Sequence, residues 1–495
     1  MADRRVLAAR RVLIVSFDAL RPDMATRELV PNLRRFAEAG VRWPNAHSTF
    51  PTETRVNQTA LVTGCYPERH GIVGNKFVDP IAAPGRLFNT GDEDQLRDGD
   101  KRLGGKLLGV PSFGEALKAA GKVYGSLSAG TAGGGRMLNH KAETLGGFRM
   151  ALHAPDATVA PGGLDAIKAK AGDFPPYEIP SIEWNRYATD IYLKYVEPEL
   201  HPDVMVLWFC EPDSSYHYKG IGSADNLAAI RGVDEQFGRI LDWRESPDGP
   251  GEALQIITLS DHGQITVEAE SLNLQARMEE AGFSVGETLE DGADAALALS
   301  SAGGIYVAKS DPALIRRIVD WLQQQDWCGP VSTRAGEGAL KHADLCWDHP
   351  RAPDIGLVLA SHDGANEFGL SGHTLQNSAY PVGGGLHGGL HPLELNNWLA
   401  AGGDGFQSSR ISPLPAGIVD VLPTVFSLLG LDVPDHVQGR ILSEGLVENT
   451  GLAMAPPERE EIVAEGKDGY RAHLKTSRVG ATRYLDGAWV ERGSA

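Results

Sequence analysis

The chain has 495 residues, enough for a large buried core and, by length, for two to four domains. A hydrophobic fraction of 42% and a charged fraction of 22% are ordinary for a soluble globular protein. With 65 acidic residues against 46 basic ones the formal net charge is −19, which repels long nucleic acid but leaves room for a small phosphorylated substrate beside local cations.

The N-terminus is basic but runs directly into an apolar strand, with no small-residue cleavage site before it. No stretch is long enough to span a bilayer, so no membrane partner is expected and the chain reads as cytoplasmic. Val12 to Phe17 is a continuous run suited to a parallel sheet covered on both faces, and it ends at Asp18. Residues 30–40 follow as a helix with a proline near its start and Gly40 at its end.

Phe50 to Asn75 reads as a hydroxyl-rich loop, a short helix and a turn. Thr54 stands where the helix begins, and Leu61 and Val62 form its buried side. A hydroxyl there faces unpaired backbone N–H groups and is a natural seat for a phosphate, although a lone Thr at such a place more often only caps the helix. Residues 81–110 and 130–185 are rich in Gly, Pro and charge and read as long loops or an insertion, separated by a helix–strand unit over 111–128.

A buried strand over 203–210 leads into Asp213 and His217, a long helix covers 223–243, and a strand over 254–260 ends at Asp261 and His262. This alternation argues for an α/β fold with a mainly parallel central sheet flanked by helices. Residues 266–375 read as helix, strand, helix, strand, and are taken as an inserted α+β subdomain; 1–265 and 376–495 form the core. A Gly-rich loop holds His387 and His391, residues 416–430 read as a helix containing Pro423, and the tail from about 460 alternates like a hairpin. The cysteines Cys65, Cys210, Cys328 and Cys346 contain no CxxC pair and make no disulfide framework.

Asp18, Asp213 with His217, and Asp261 with His262 all fall directly after apolar strands. In open α/β sheets ligands gather at the carboxyl ends of strands, so these residues can converge on one edge. Asp213 and His217 are four apart and share a face if that segment is helical. Each alone could be a cap or a turn residue, but three such coincidences favour a metal site, whose oxygen and nitrogen donors suit zinc and, less well, manganese or calcium.

The ordered motifs "VSFDAL", "FPTETRVNQTALVTGCYPERHGI", "EPDSSYH" and "LSDHG" resemble the alkaline phosphatase superfamily, and within it the nucleotide pyrophosphatase/phosphodiesterase (type I phosphodiesterase) family. The resemblance implies an alkaline-phosphatase-like core and two zinc ions, with Mn2+ as the alternative. Asp18, Asp261, His262 and the Thr54 oxygen would hold one metal; Asp213, His217 and a late His would hold the other. That His is taken as His387, with His391 the main rival and His373 a weaker one; His362 is read as structural. Thr54 would be the nucleophile and pass through a phosphothreonine. Asn75 would bind a non-bridging phosphoryl oxygen, its bland reading being a turn residue after Gly74.

The chain departs from the family at Arg55 and Val56, where an aromatic residue and a proline are usual, while Asn57 is kept. Arg55 is a candidate receptor for a second anionic group of the substrate, or simply points to solvent. The expected activity is metal-dependent hydrolysis of small phosphate diesters or nucleotides. The alternative is a phosphonate hydrolase of phosphonoacetate hydrolase or phosphonate monoester hydrolase type, with a cationic pocket around Arg55 and Lys76. A sulfatase, suggested by Cys65-Tyr66-Pro67-Glu68-Arg69, and a non-catalytic metal-binding module rank lower.

Overall fold

The structure, a computed structural model, describes residues 10–289, 292–451 and 455–493. Arg4 and Arg5, part of the basic N-terminus, lie outside the described residues. In chain order the central elements are strand β1 (Arg11–Phe17), helices α1 (Pro31–Ala39) and α2 (Thr54–Thr63), strand β2 (Tyr124–Ser128), helix α3 (Ala132–Leu138), and strands β3 (Phe148–Ala151) and β4 (Val204–Phe209). Helices α4 (Asp213–Lys219) and α5 (Ala224–Glu245), strands β5 (Leu254–Leu259) and β6 (Leu399–Gly402), and helix α6 (Val421–Leu428) follow.

The sheet runs β6-β5-β1-β4-β2-β3, extended beyond β6 by two short strands at Val41–Arg42 and Arg410–Ile411. β3, β2, β4, β1 and β5 are parallel, and β6 is antiparallel to β5. The apolar runs of β1, β4 and β5 are buried on both faces, as a sheet covered by helices requires. On one face Phe237 of α5 meets Phe17 and Phe36 edge-on, with ring centroids 5.8 and 5.4 Å apart. On the other, Leu61 and Val62 of α2 pack with Leu422 and Val425 of α6. Ser16 pairs with Trp208 on β4 and with Leu259 on β5, so these three strands end level and deliver their next residues side by side.

A second, six-stranded sheet is built from residues 285–359 and covered by the helix Pro312–Leu322, which buries Leu314, Ile318, Val319 and Leu322. The tail forms three antiparallel strands, Glu458–Glu465, Tyr470–Val479 and Thr482–Arg492, one more than the expected hairpin. These sheets share one apolar cluster with Phe50, Val56 and Val73 from the loop and helix around Thr54. Phe50 lies edge-on to Trp347 at 5.1 Å, and the Trp347 indole N–H donates to the Val73 carbonyl at 2.9 Å. The second sheet therefore clamps the segment that carries Thr54.

Residues 81–110 and 130–185 are not the long loops their composition suggests. They contain the helices Glu93–Arg102, α3, Gly163–Ala171 and Ile182–Ile191, and the edge strand β3. Glycine serves close approach in α3: a Cβ on Gly133 would drive into the Thr90 carbonyl, and one on Gly135 into Ala151. The closing helix also begins later than expected, at Val421 after a 3-10 turn over Ile418–Asp420. That places Pro423 in the first helical turn, where its missing N–H costs no hydrogen bond.

Among the described residues no helix is long and apolar enough to cross a membrane. The four cysteines are buried and free.

Candidate active site

The level ends of β4, β1 and β5 bring Asp18, Asp213, Asp261 and His262 to one edge. Asp213 arrives as the first residue of α4, held by its backbone N–H donating to the Asp18 carbonyl at 3.0 Å. One helical turn on, His217 Nε2 lies 3.3 Å from Asp213 Oδ1. Thr54 is the first residue of α2, and its hydroxyl donates to His262 Nε2 at 3.1 Å. From the opposite loop His387 brings its Nε2 to 3.6 Å from Asp213 Oδ1 and stacks on His262 with centroids 3.8 Å apart.

Two groups of side chains have donor atoms within 4.8 Å of one another: Asp18 with Asp261 and His262, and Asp213 with His262 and His387. His262 thus reaches both groups, not only the one the family resemblance implies. His217 joins the second through Asp213. His391 does not enter the cluster; its Nε2 faces Asp363 at 3.1 Å and its Nδ1 caps the short helix Pro392–Leu395. His362 stacks on His373 and pairs with Glu268, away from the site.

The donor set is prepared for cations. Each of the three imidazoles spends Nδ1–H on a backbone carbonyl: His217 on Gly385 at 2.7 Å, His387 on Thr52 at 2.7 Å, and His262 on Gly263 at 3.1 Å. This fixes the tautomer with the Nε2 lone pair turned inward, the form a metal takes. Asp18 Oδ1 and Asp261 Oδ2 are buried with no hydrogen-bond partner, a costly arrangement for carboxylates unless a cation faces them.

Their other oxygens are oriented, Asp18 Oδ2 by the Trp208 indole N–H at 2.8 Å and Asp261 Oδ1 by the Ala19 N–H at 3.1 Å. Burial, and then the neighbouring Asp261 and Asp213, push the Asp18 carboxyl well above the usual range, and burial raises Asp261. Burial also opposes ionisation of Asp213, but His217, His387 and His262 outweigh it and hold that carboxyl low. Burial, then the charge of His262, drives His387 well below the ordinary imidazole value.

Beside the cluster opens a cavity of about 380 Å³, lined by His217 and His387 together with Glu53, Arg55, Asn75 and Lys76. Asn75 accepts the Arg55 backbone N–H on its side-chain oxygen at 3.4 Å, and its own N–H donates to Glu53. Tyr380 stacks on His217 at 4.2 Å, and Leu297, Ala298 and Leu299 of the second sheet close the cavity. Glu53, Trp208 and Tyr380 were not among the residues anticipated. Glu53 adjoins Thr54 and had that positional signal; Trp208 and Tyr380 have none in the local sequence.

Cys65 follows α2, whose ten residues at about 1.5 Å each carry it roughly 15 Å from Thr54. Its thiol donates to the His436 carbonyl at 3.1 Å, and burial pushes its pKa up to about 11. A buried, protonated thiol on the far side of the helix takes no part in this site.

A family model described as type I phosphodiesterase / nucleotide pyrophosphatase matches residues 12–361. An uncharacterised pyrophosphatase/phosphodiesterase of Schizosaccharomyces pombe is 44% identical over 70 residues, 14% of either chain. Ectonucleotide pyrophosphatase/phosphodiesterase family member 3 of Rattus norvegicus is 24% identical over 255 residues, 51% of this chain and 24% of that protein. The matched region thus spans under a quarter of the length of these relatives. Among solved structures, inactive murine ectonucleotide pyrophosphatase/phosphodiesterase 5 in complex with AMP superposes with a TM-score of 0.57 at 18% identity, covering 86% of this chain and 96% of that one. That likeness establishes the mixed α/β fold with its mostly parallel central sheet.

Proposed function

The chain belongs to the type I phosphodiesterase / nucleotide pyrophosphatase family, and from that premise we propose that it is a metal-dependent hydrolase of small phosphate diesters with Thr54 as nucleophile. The observation that carries this reading is the placement of the Thr54 hydroxyl at a helix N-terminus, against His262, the residue common to two groups of inward-facing donors. Asp18, Asp261, His262 and Thr54 Oγ1 would hold one ion, and Asp213, His217 and His387 the other. Oxygen and imidazole donors suit zinc, with Mn2+ the alternative. When bound, such ions lower the pKa of coordinated hydroxyl and water and stabilise charge on attacking and departing oxygens.

The chain's own residues supply the rest. Thr54 Oγ1 gives up its proton to solvent and forms the bond to phosphorus as the P–O bond to the ester oxygen breaks on the opposite side. The resulting phosphothreonine is then cleaved by water, releasing the phosphoester and regenerating the hydroxyl. The N-terminus of α2 offers unpaired N–H groups to the phosphoryl oxygens. Asn75, its carbonyl oxygen occupied by the Arg55 N–H, has its NH2 group left for a non-bridging oxygen. A neutral amide suits the single charge of a diester better than the double charge of a monoester.

The AMP bound by the murine relative supports a nucleotide-sized ligand, and the cavity volume accommodates one. Buried, unpaired cysteines fit a reducing compartment and support the cytoplasmic assignment. The core is assigned to residues 1–265 and 376–495, with 266–375 inserted; the separate six-stranded sheet supports that division.

The test is turnover of zinc-loaded protein on bis-p-nitrophenyl phosphate against p-nitrophenyl phosphate, phenylphosphonate and sulfate. The diester should dominate, and Thr54→Ala should lose at least about a hundredfold in rate while keeping its metals. Activity surviving in Thr54→Ala would sink the nucleophile. Dominant phosphonate cleavage lost in Thr54→Ala would keep the mechanism and move the substrate class, a reading Arg55 and Lys76 favour.

A further inference from the structure

Arg55 is the next residue after Thr54, and its side chain lines the cavity beside the metal-ligand cluster. Its Nε is buried and unpartnered, and no ion pair of its guanidinium is found among the described residues. The arginines whose side chains are fully buried behave differently. Arg21, Arg136, Arg149 and Arg244 each hold a carboxylate at 2.6–3.0 Å. A guanidinium stays charged in any protein environment, and burying one without a counter-charge is costly. Arg55 is half-buried and feels Glu53, Asp213 and Asp18 across space, but among the described residues no carboxylate forms an ion pair with its guanidinium.

The surroundings allow an anion to answer it. Lys76 adds a second cation at the rim, and the Asn75 NH2 group is free to donate. Glu53 is the carboxylate of this lining, and it accepts the Asn75 N–H. Arg55 and Lys76 place two cations beside Glu53 in the cavity lining, with Asp213 and Asp18 also acting on Arg55. Direction follows from the chemistry: in-line attack by Thr54 expels the leaving group on the far side of phosphorus. Arg55 lines the cavity with Asn75, the residue assigned above to a non-bridging oxygen, and so sits on the side of the substituent that stays on phosphorus in this reading.

Resting on the Thr54 reading above, we propose that this retained substituent carries a second oxyanion, a carboxylate or a phosphate, and that Arg55 is its receptor. The preferred substrates are then doubly anionic on the transferred side, and Arg55 determines specificity rather than chemistry.

The experiment compares p-nitrophenyl ethyl phosphate with p-nitrophenyl 2-carboxyethyl phosphate, which share a leaving group. Wild-type protein should favour the carboxyl ester roughly ten- to a hundredfold in kcat/KM, mainly through KM, the size of one charge-assisted bidentate contact. Arg55→Gln should bring the ratio near one, and Arg55→Lys should keep part of it. A third ester bearing a terminal phosphate separates the two oxyanions. A wild-type ratio below about two, or a preference that persists in Arg55→Gln, overturns the proposal. Turnover of both esters by Thr54→Ala would instead overturn the site reading, whatever the ratio. Calorimetry with ethylphosphonate and 2-carboxyethylphosphonate reads the same ratio without turnover. Equal affinities there count against Arg55, and a tenfold difference lost in Arg55→Gln supports it.

Discussion

Trp208 is buried in β4 and touches the site through one atom, the indole N–H that donates to Asp18 Oδ2 at 2.8 Å. The bond leaves Asp18 Oδ1 facing the cluster, so the indole positions a ligand without being one. Outer-sphere partners of this kind are worth roughly ten- to a hundredfold in metal affinity. Trp208→Phe keeps most of the ring volume and deletes the donor. Zinc affinity, read by competition with a chelating dye, should fall by that factor while the protein still melts cooperatively. Unchanged affinity would mean that Asp18 is not held by the indole, or is not a ligand.

At the scale of elements, what the sequence displayed was burial. The strands at 12–17, 203–210 and 254–260 were legible because a run buried on both faces must be apolar throughout, and the acids that follow such runs stood out. The Asp213/His217 pair was legible through helical spacing alone. α3 was not, because Gly133, Gly134 and Gly135 look like a flexible loop when composition is all that can be seen. Their use lies in the neighbours, Thr90 and Ala151, which come from distant parts of the chain. Tyr380 and Trp208 were hidden for the same reason: their roles are contacts made across the fold.

The glycines of α3 give a prediction in which two effects oppose. Gly to Ala inside a helix normally gains about 1 kcal/mol. At Gly133 the added Cβ meets backbone, which cannot swing aside as a flexible side chain would, and overpacking of that kind costs about 1–3 kcal/mol. Gly133→Ala should therefore lower the melting temperature despite its better helix propensity. A rise would mean that α3 can shift away from Thr90.

At the scale of the whole molecule, a buried acid is one of the links between the carboxyl-terminal sheet and the core. Asp420 accepts the Gly417 N–H at 2.8 Å, the Arg440 N–H at 2.7 Å and the Tyr484 hydroxyl at 2.8 Å. Tyr484 lies on the last strand, so the three bonds tie α6, the following loop and the tail together. Burial pushes the Asp420 carboxyl up to about 6 from an ordinary 3.8, against the pull of Arg440. A carboxyl raised on folding gives its full stability below its unfolded value and loses it as pH climbs through its folded one. Between pH 4 and pH 6 that loss amounts to about 2 kcal/mol, out of about 3 kcal/mol over the whole shift at about 1.4 kcal/mol per pH unit. Asp420→Asn cannot titrate, and it is destabilised at all pH values by the weaker hydrogen bonding of its amide. The gap in melting temperature between wild type and Asp420→Asn should therefore be widest near pH 4.5 and narrow by several degrees at pH 7.5, with metal content held constant. A gap that is constant, or that widens with pH, would mean that Asp420 stays ionised throughout and that Arg440, rather than burial, governs the link.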